Sequence, residues 1–155
     1  MSGQPGLFSA PQVALTNDDW YTPKWIFETL DVEFDMDVSA PPGGVPWIRA
    51  KRVLTKAEDG LVTPWEGRVW MNPPFSKTKP WAMKFMSHRQ GIALLPMGRN
   101  QWNFDLWNSD AHMVQLPADL KFVKNGKPTT MMMSALLVTY EDELVERLAR
   151  IGRVR

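Results

Sequence analysis

The chain has 155 residues, which is enough for one domain with a substantial core. Hydrophobic residues make up 44% and charged residues 23%, and the net charge of +1 gives no overall basic field for a polyanion partner. The absence of Cys excludes disulfides and thiolate metal sites and fits a reducing compartment such as the cytoplasm. No signal-peptide pattern or run of 18 apolar residues occurs, so we expect no membrane partner.

The N-terminal third combines a polar arm, a helix start and an alternating segment. Residues 1–16 are rich in Gly, Pro, Ser and Gln, which predicts a flexible arm before a single domain at 17–155. The pair Thr22-Pro23 is typical of a helix start, with Thr22 as N-cap and Pro23 at the first helical position. Residues 32–38 alternate apolar and acidic side chains, which predicts a strand with one face in water.

Strands and helices alternate along the rest of the chain. This order predicts an α/β fold, with a mostly parallel, Rossmann-like sheet and flanking helices. Residues 49–64 are ambiguous apart from a turn at Asp59-Gly60. The predicted elements, in chain order, are helix 24–30, strand 32–38, strand 69–71, a helix from 80, strand 92–95, helix 101–107, strand 113–116, a hairpin turn at 125–126, strand 134–140 and a helix from 139 to 152, the last with a capping box at Thr139.

The strongest local signal is Asn72-Pro73-Pro74-Phe75, directly after the apolar run 68–71. Each proline fixes its own φ and pushes the preceding residue to extended geometry, so the strand ends in a rigid segment. A side-chain amide, backbone carbonyls and an aromatic ring project together there. Such a set suits a planar, hydrogen-bonding ligand such as a nucleobase, although the tetrapeptide alone is equally compatible with a simple turn.

The chemistry that fits this set is methyl transfer to an exocyclic amine. The lone pair of an adenine amine is delocalised into the ring, and it becomes localised when both N6 hydrogens are accepted. The Asn72 side-chain oxygen and the Pro73 carbonyl suit that role, and Phe75 suits stacking on the base. The target base has to leave the duplex first, because its amine is paired there. A sulfonium donor would supply the methyl group by in-line displacement.

The chain resembles the small phage-type DNA N6-adenine methyltransferases over roughly residues 20–140. Its Asn-Pro-Pro-Phe tetrapeptide looks like the Asn/Asp/Ser-Pro-Pro-aromatic motif of amino-methylating DNA methyltransferases. The resemblance rests on the order and spacing of several segments. These are Trp20-Tyr21-Thr22-Pro23, the stretch 34–40, Asp59-Gly60-Leu61 with Trp65, the stretch 69–75, Trp81, Leu94-Leu95-Pro96, Trp102 and Lys121-Phe122.

The resemblance implies S-adenosyl-L-methionine as cofactor and a compact Rossmann-like methyltransferase domain. Trp20, Thr22 and Pro23 resemble the segment beside the methionine moiety. Asp37 resembles the acid near the donor's amino group or ribose, and Asp59 the acid that accepts from the cofactor's adenine amine. Residues that complete the expected cofactor-binding set from the same segments are Tyr21, Ala40 and Leu61.

Simpler interpretations of the same residues stay open. Asp37 suits a solvated strand face, Asp59 a turn before Gly60, and Thr22-Pro23 a helix start. The stretch 39–44 stands where many methyltransferases have a Gly-x-Gly loop, but its two glycines are adjacent and shifted.

Positively charged residues in loops are the candidates for DNA contact. The loop after the motif and the hairpin turn could equally be solvated charged surface. The candidates are Lys77 and Lys79 after the motif, Arg99 near a strand end, and Lys121, Lys124 and Lys127 around the hairpin turn.

The sequence therefore predicts an adenine-specific DNA methyltransferase that uses S-adenosyl-L-methionine and flips its target base. Cytosine-N4 methylation follows the same logic. The alternative from another class is a non-catalytic DNA- or protein-binding module on a decayed methyltransferase fold. We expect DNA as partner, no metal and a monomer or homodimer, since His88 and His112 lack metal-ligand spacing.

Overall fold

The computed structural model describes residues 20–131 and 133–155. The arm predicted at 1–16 lies outside these residues. Among the described residues, no helix has the length and apolar character needed to cross a membrane. The elements are α1 Lys24–Leu30, β1 Phe34–Asp37, β2 Ala50–Val53, β3 Val69–Met71, α2 Thr78–His88, β4 Gly91–Pro96, α3 Gln101–Trp107, β5 His112–Gln115, β6 Lys121–Lys124, β7 Lys127–Thr130, β8 Ala135–Thr139 and α4 Val145–Leu148, with 3-10 turns at Phe75–Lys77 and Asp142–Leu144.

The sheet has six strands in the order β2-β1-β3-β4-β8-β5. The first four strands are mutually parallel, and β8 runs antiparallel to both β4 and β5. The carboxyl ends of β2, β1, β3 and β4 therefore meet at one edge of the sheet. This strand order confirms the predicted mixed α/β fold with a mostly parallel sheet.

Helices cover both faces of the sheet. Side chains alternate between the two faces along each strand, so the strands contribute to a core on each side. On β3, Val69 and Met71 join the core formed with α2 and α3, while Trp70 joins the core formed with α1 and α4. The Phe27 ring of α1 meets the Trp70 ring edge-on, with 4.7 Å between ring centroids. All three residues of β3 are buried, as a central parallel strand requires.

The predicted helices 24–30 and 101–107 and the hairpin around 125–126 are confirmed. The helix expected from 80 begins earlier, at Thr78. The bounds of the helix expected from 139 to 152 are wrong, although a shorter helical stretch lies within them and buries Leu144 and Leu148. That stretch forms a 3-10 turn and the four-residue α4. Thr139 donates its hydroxyl to the Gly91 carbonyl at 2.7 Å, so it joins β8 to β4 rather than capping a long helix.

Two predictions near the N-terminus are also wrong. The N-cap of α1 is Pro23, not Thr22, and the Thr22 hydroxyl forms no cap. The predicted wet face of strand 32–38 extends only to Asp35, since Asp37 is 2% exposed. Parallel neighbours on both sides and packing on both faces bury the end of β1. The ambiguous segment 49–64 contains β2, which pairs with β1 at the sheet edge.

A prediction follows from the contact between β3 and β4. Gly91 has φ +117°, and a Cβ at this position would lie 2.0 Å from the Val69 carbonyl oxygen. We expect Gly91→Ala to lower the free energy of unfolding by about 3 kcal/mol or more, because two backbones have to separate. Urea denaturation measures the change.

Gly126→Ala is the matched control for this substitution. Gly126 also has positive φ, at +75°, but a Cβ there meets nothing within 4 Å. Only the backbone cost of about 1–2 kcal/mol should appear. Equal losses in the two variants would contradict the close-approach explanation.

Candidate functional site

A cavity of about 400 Å³ opens at the carboxyl ends of β1, β2 and β3. This volume falls in the range of roughly 300–1,000 Å³ that is usual for small-molecule sites. Four stretches of chain form its walls. They are 20–22 before α1, 37–42 at the end of β1, 55–60 after β2, and the end of β3 with Asn72, Pro74 and Lys77, together with Val45, Ile48, Trp70 and Trp81.

Asp37 lies on the wall of this cavity with 2% of its surface exposed. Its carboxylate accepts one long hydrogen bond, from the Ser39 N–H at 3.4 Å. Burial raises the pKa of Asp37 to about 7, and the Ser39 hydrogen bond only partly opposes that shift. A carboxyl group this poorly compensated is a candidate partner for a ligand cation or hydroxyl.

Thr22 lies on the same cavity and is 1% exposed. Its hydroxyl oxygen has no hydrogen-bond partner among the described residues. A buried hydroxyl without a partner costs about 1–3 kcal/mol. Its backbone is firmly held, since the Thr22 carbonyl accepts from the Trp47 indole N–H at 2.8 Å. The orphaned hydroxyl therefore points to a ligand that supplies the missing hydrogen bond.

The loop at Asp59-Gly60 forms the opposite wall. Asp59 has φ +57° and accepts from the Leu61 N–H at 3.0 Å, so it is a turn residue with an exposed carboxylate. Gly60 permits a close approach, because a Cβ there would lie 2.0 Å from the Val38 carbonyl and 2.9 Å from the Trp81 ring. Asp59 is therefore both a turn residue and a residue of the cavity wall.

Lys84 of α2 holds the Asp59-Gly60 loop in place. Its ammonium donates to the carbonyls of Gly60 at 2.8 Å, Leu61 at 3.0 Å and Thr63 at 2.7 Å. The ammonium also lies 4.7 Å from the centre of the Trp65 ring. Burial lowers the pKa of Lys84, and the charge of Asp59 opposes that shift. Nothing in the local sequence distinguishes Lys84 from a solvated helix lysine, so sequence reasoning missed it.

The loop after β1 presents no glycine to the cavity. The wall is formed by 39–42, whereas Gly43 and Gly44 lie outside the lining and adopt φ of +82° and +75°. The shifted glycines noted in the sequence therefore serve a turn. Buried Ala40 is the small residue that lines the cavity here.

Asn72-Pro73-Pro74-Phe75 follows β3 directly, and Asn72 has a defined orientation. Its amide nitrogen donates to the Trp20 carbonyl at 2.7 Å, which fixes the side-chain oxygen at the opposite end of the amide. The Pro74 carbonyl already accepts from the Lys77 N–H at 3.1 Å and the Thr78 hydroxyl at 3.3 Å. The motif thus passes from a buried strand into the first turn before α2.

A second cleft of about 600 Å³ lies on the other side of this motif. Phe75 is on its wall, and Lys77 contributes to both the cavity and the cleft. Apolar side chains alternate with polar ones around it. The lining also includes 76–80, Pro96, Met97, Gly98, 100–103 and Met133. The motif therefore separates two concave sites, of which the first is the cavity with Asp37 and Thr22.

The structure gathers most of the expected site residues around these two sites. Eight line the first cavity, namely Trp20, Tyr21, Thr22, Asp37, Ala40, Asp59, Asn72 and Pro74. Phe75 lines the second cleft. Pro23, Leu61 and Pro73 line neither in the structure. Pro23 and Pro73 are buried residues, and Leu61 packs on the core beside α2.

The expected DNA-contact residues fall into two groups. Lys77 and Lys79 line the second cleft, and exposed Arg99 lies between two of its lining residues. Lys121, Lys124 and Lys127 lie on the β6–β7 hairpin, where the Lys124 ammonium is 4.3 Å from the centre of the Trp20 ring. Lys121 contacts the Thr130 hydroxyl across the hairpin.

Residues 20–131 and 133–155 contain no group of three or more His, Asp or Glu side chains arranged to hold a metal ion. Residues that line the cavity but were not expected from the sequence include Thr55, Lys56, Val45 and Ile48. They come from the segment after Ser39, whose local pattern gave only a loop and an ambiguous stretch. Their position on the cavity wall depends on the pairing of β2 with β1, and no local sequence pattern predicts that pairing.

The fold and the two sites define an α/β domain with a small-molecule cavity and an adjoining cleft, joined by a rigid Asn-Pro-Pro-Phe segment. The sequence model of the family described as DNA N-6-adenine-methyltransferase (Dam) matches residues 11–134. The chain belongs to this family. No curated protein and no solved structure matches the chain.

A stability prediction follows from the environment of Asp37. Its pKa in the folded protein is about 7, above the ordinary value of 3.8, so folding favours the protonated form. Stability should therefore be highest below pH 4 as far as this group is concerned, and fall as pH rises toward 7. We expect Asp37→Asn to raise the free energy of unfolding by about 2–4 kcal/mol at pH 8 and to change it little at pH 4.

Chemical denaturation at both pH values, without ligand, measures this effect. Asp119→Asn is the control, since Asp119 is exposed and its substitution should stay within about 0.5 kcal/mol at either pH. An Asp37→Asn variant that is less stable than wild type at pH 8 would contradict an uncompensated buried carboxyl.

Proposed function

We propose that the chain transfers a methyl group from S-adenosyl-L-methionine to N6 of adenine in DNA, after the target base has been flipped out of the duplex. The observation that carries this proposal is the position of Asn72-Pro73-Pro74-Phe75 between two concave sites. A transfer reaction needs a donor site and an acceptor site that meet at the reacting atoms. Membership of the DNA N-6-adenine-methyltransferase family supports adenine over cytosine.

The first cavity fits the donor. It lies at the carboxyl edge of a parallel sheet, where Rossmann-like folds bind nucleotide ligands, and we assign this fold to that class. S-adenosyl-L-methionine offers an ammonium, a carboxylate, ribose hydroxyls and an adenine. Asp37 suits the ammonium or a ribose hydroxyl, the orphaned Thr22 hydroxyl suits the methionine moiety, and Asp59 suits the adenine amine.

The second cleft fits the flipped base. Phe75 offers an aromatic face for stacking. Lys121, Lys124 and Lys127 would contact phosphates along the hairpin. Base extrusion is required because N6 of a paired adenine is hydrogen-bonded inside the stack.

The chain's own contribution to the reaction is positioning and polarisation. S-adenosyl-L-methionine supplies a methyl group on a sulfonium, which is open to in-line attack. The Asn72 amide nitrogen is occupied by the Trp20 carbonyl, which leaves the Asn72 oxygen to accept one N6 hydrogen. The Pro74 carbonyl is occupied by Lys77 and Thr78, which leaves the Pro73 carbonyl as the second acceptor.

These two acceptors would draw the amine out of the base plane and localise its lone pair toward the donor. Asn72 is neutral and a weak base, so the amine proton leaves after the attack and passes to solvent. Rigid prolines keep both acceptors in place before the substrate arrives, which lowers the reorganisation needed at the moment of reaction.

The competing proposal is a non-catalytic binding module on a decayed methyltransferase fold. The displaced Gly43 and Gly44 favour it, since the loop after β1 brings no glycine backbone to the cavity. The buried Asp37 and the orphaned Thr22 favour the enzyme, because both reduce stability without a ligand to meet them. A decayed module would gain stability by losing them.

Methyl transfer is tested directly with Asn72→Ala. DNA is incubated with protein and isotopically labelled S-adenosyl-L-methionine, and the digested nucleosides are analysed by mass spectrometry. We expect N6-methyladenine with the wild-type chain and a loss of kcat of about 100-fold or more in Asn72→Ala, because one of two amine acceptors is gone. Cofactor affinity should change little.

Asn108→Ala is the matched control, since Asn108 is the exposed residue directly after α3 and lies outside both sites. It should retain wild-type activity. Detection of labelled N4-methylcytosine in place of N6-methyladenine would show that cytosine is the target base. Absence of product, with cofactor bound, would favour the binding module.

A second test uses the pKa of Asp37. If the ionised carboxylate meets the donor's ammonium, binding at pH 6 requires Asp37 to lose the proton that its pKa of about 7 retains. Calorimetry in buffers of different ionisation enthalpy should show release of nearly one proton at about pH 6 and nearly none at about pH 8.5.

Affinity should be about tenfold weaker at pH 6 than at pH 8. Asp37→Asn should abolish both the proton release and the pH dependence. Binding of equal strength and without proton release at both pH values would remove Asp37 from the ammonium site.

A further inference from the structure

The orientation of the Asn72 amide depends on one backbone atom. Its nitrogen donates to the Trp20 carbonyl at 2.7 Å, and Asn72 itself is half-buried at the end of β3. An amide can turn by 180° and exchange the places of its oxygen and nitrogen. The Trp20 carbonyl selects the rotation in which the nitrogen faces residue 20 and the oxygen faces away from it.

The Trp20 carbonyl is in turn positioned by the β6–β7 hairpin. Tyr21 and Val123 form an isolated antiparallel bridge, in which the Tyr21 N–H donates to the Val123 carbonyl and the Val123 N–H to the Tyr21 carbonyl, both at 2.8 Å. The Trp20 ring packs edge-on against Phe122, with 6.3 Å between centroids, beneath the Lys124 ammonium. Backbone and side chain of the 20–21 segment are therefore both attached to β6.

The hairpin is built to make this attachment. Val123 pairs with Pro128 on β7, but its N–H and carbonyl both bond to Tyr21, so they face outward, away from β7. Pro128, which has no N–H, is accommodated at such a pair. The segment at 20–21, β6 and β7 thus form a small three-stranded unit beside the main sheet.

We propose that the β6–β7 hairpin is a positioning element for the catalytic amide, acting through Tyr21 and the Trp20 carbonyl, and that this contact makes residue 72 specific for Asn over Asp. The inference rests on the proposed function, in which the Asn72 oxygen accepts from the target amine. The hairpin itself touches neither methyl donor nor acceptor amine in this role.

The preference for Asn follows from the donor inventory of the two side chains. An ionised aspartate has only acceptor oxygens, and one of them would face the Trp20 carbonyl oxygen at the distance of a hydrogen bond. That repulsion rotates or displaces the side chain away from the geometry that the amide holds. Aspartate also occurs in the methyltransferase motif that the chain resembles, so the restriction is a property of this Trp20 contact.

The first experiment removes one hydrogen bond from the chain of contacts. Val123→Pro deletes the N–H that donates to Tyr21, and Pro128 shows that this hairpin already accommodates a proline at an outward-facing position. We expect kcat to fall about 10–100-fold, since misplacement of a reacting group by 1 Å costs that much, with KM for DNA changed less than threefold. Val123→Ile keeps the N–H and should retain wild-type kcat.

A readout independent of activity follows the amide itself. The side-chain amide resonance of Asn72 is assigned in ¹⁵N spectra by its loss in Asn72→Ala. In Val123→Pro its chemical shift should move and its hydrogen exchange should accelerate at least tenfold, because the Trp20 carbonyl no longer holds it. If Val123→Pro does not fold, Trp20→Ala tests the same link by removing the packing of residue 20 on Phe122 and Lys124.

The decisive comparison combines the hairpin variant with Asn72→Asp. In the wild-type background Asn72→Asp should lower kcat about 100-fold or more. In the Val123→Pro background its further cost should be at least tenfold smaller, because the Trp20 carbonyl can move away from the carboxylate. Independent structural damage would instead give multiplicative losses.

The outcomes separate the two proposals. Multiplicative losses together with an unchanged Asn72 amide resonance in Val123→Pro overturn the positioning role and leave the methyltransferase proposal standing. Full activity of Asn72→Asp overturns the preference for Asn. A wild-type chain that binds S-adenosyl-L-methionine but methylates no DNA overturns the proposed function, whereas the amide resonance still tests whether the hairpin orients Asn72.

Discussion

The candidate site depends on the parallel pairing of β1 with β3. In this register Asp37 pairs with Trp70, two residues before Asn72. Because parallel strands end at the same edge, the buried carboxyl and the rigid motif reach one cavity from chain positions 35 residues apart. A shift of one residue in this pairing would turn either Asp37 or Trp70 to the wrong face. The core on both sides of β3 therefore also fixes the chemistry at its end.

The cavity is built from groups that lower the stability of the chain by itself. Asp37 is buried with one long hydrogen bond, Thr22 has an orphaned hydroxyl, and Asp59 adopts a left-handed conformation. Each arrangement is unfavourable alone, and such groups concentrate at sites where a ligand supplies the missing partner. Lys84 offsets part of the cost by holding the Asp59 loop through three carbonyls. Ligand binding should therefore stabilise this fold markedly.

The elements with strong local signals were predictable from the sequence. Helix α1 begins at a proline, α3 carries spaced aromatic and apolar residues, and Asn125-Gly126 specifies the hairpin turn. The edge strand β2 was not predictable, because only a partly buried Ala50 marks its inner side and the other three residues are exposed. The C-terminal helix is shorter than predicted, because Thr139, the expected cap, takes part in the contact between β8 and β4.

In the candidate site, too, the residues with a local sequence signal were predictable and the others were not. Asn72-Pro73-Pro74-Phe75 carries its chemistry in four adjacent residues, so the sequence alone indicated it. The orphaned Thr22 hydroxyl, the Lys84 contacts and the link from the hairpin to Asn72 all join residues far apart in the chain. Such links arise from tertiary packing and leave no periodic pattern to read. The second cleft was foreseen only through Phe75, Lys77 and Lys79 beside the motif, because the rest of its wall includes α3, the loop before it and Met133.

In the proposed function the Asn-Pro-Pro-Phe segment separates a donor site from an acceptor site. A crystal structure with S-adenosyl-L-homocysteine, the product of donor demethylation, tests this most directly. We expect the ligand to fill the 400 Å³ cavity, with its amino group near Asp37 and its sulfur facing Asn72 and Pro74. Its adenine should lie beside Asp59. A ligand bound in the second cleft, or away from Asp37 and Thr22, would overturn the assignment of this cavity to the donor.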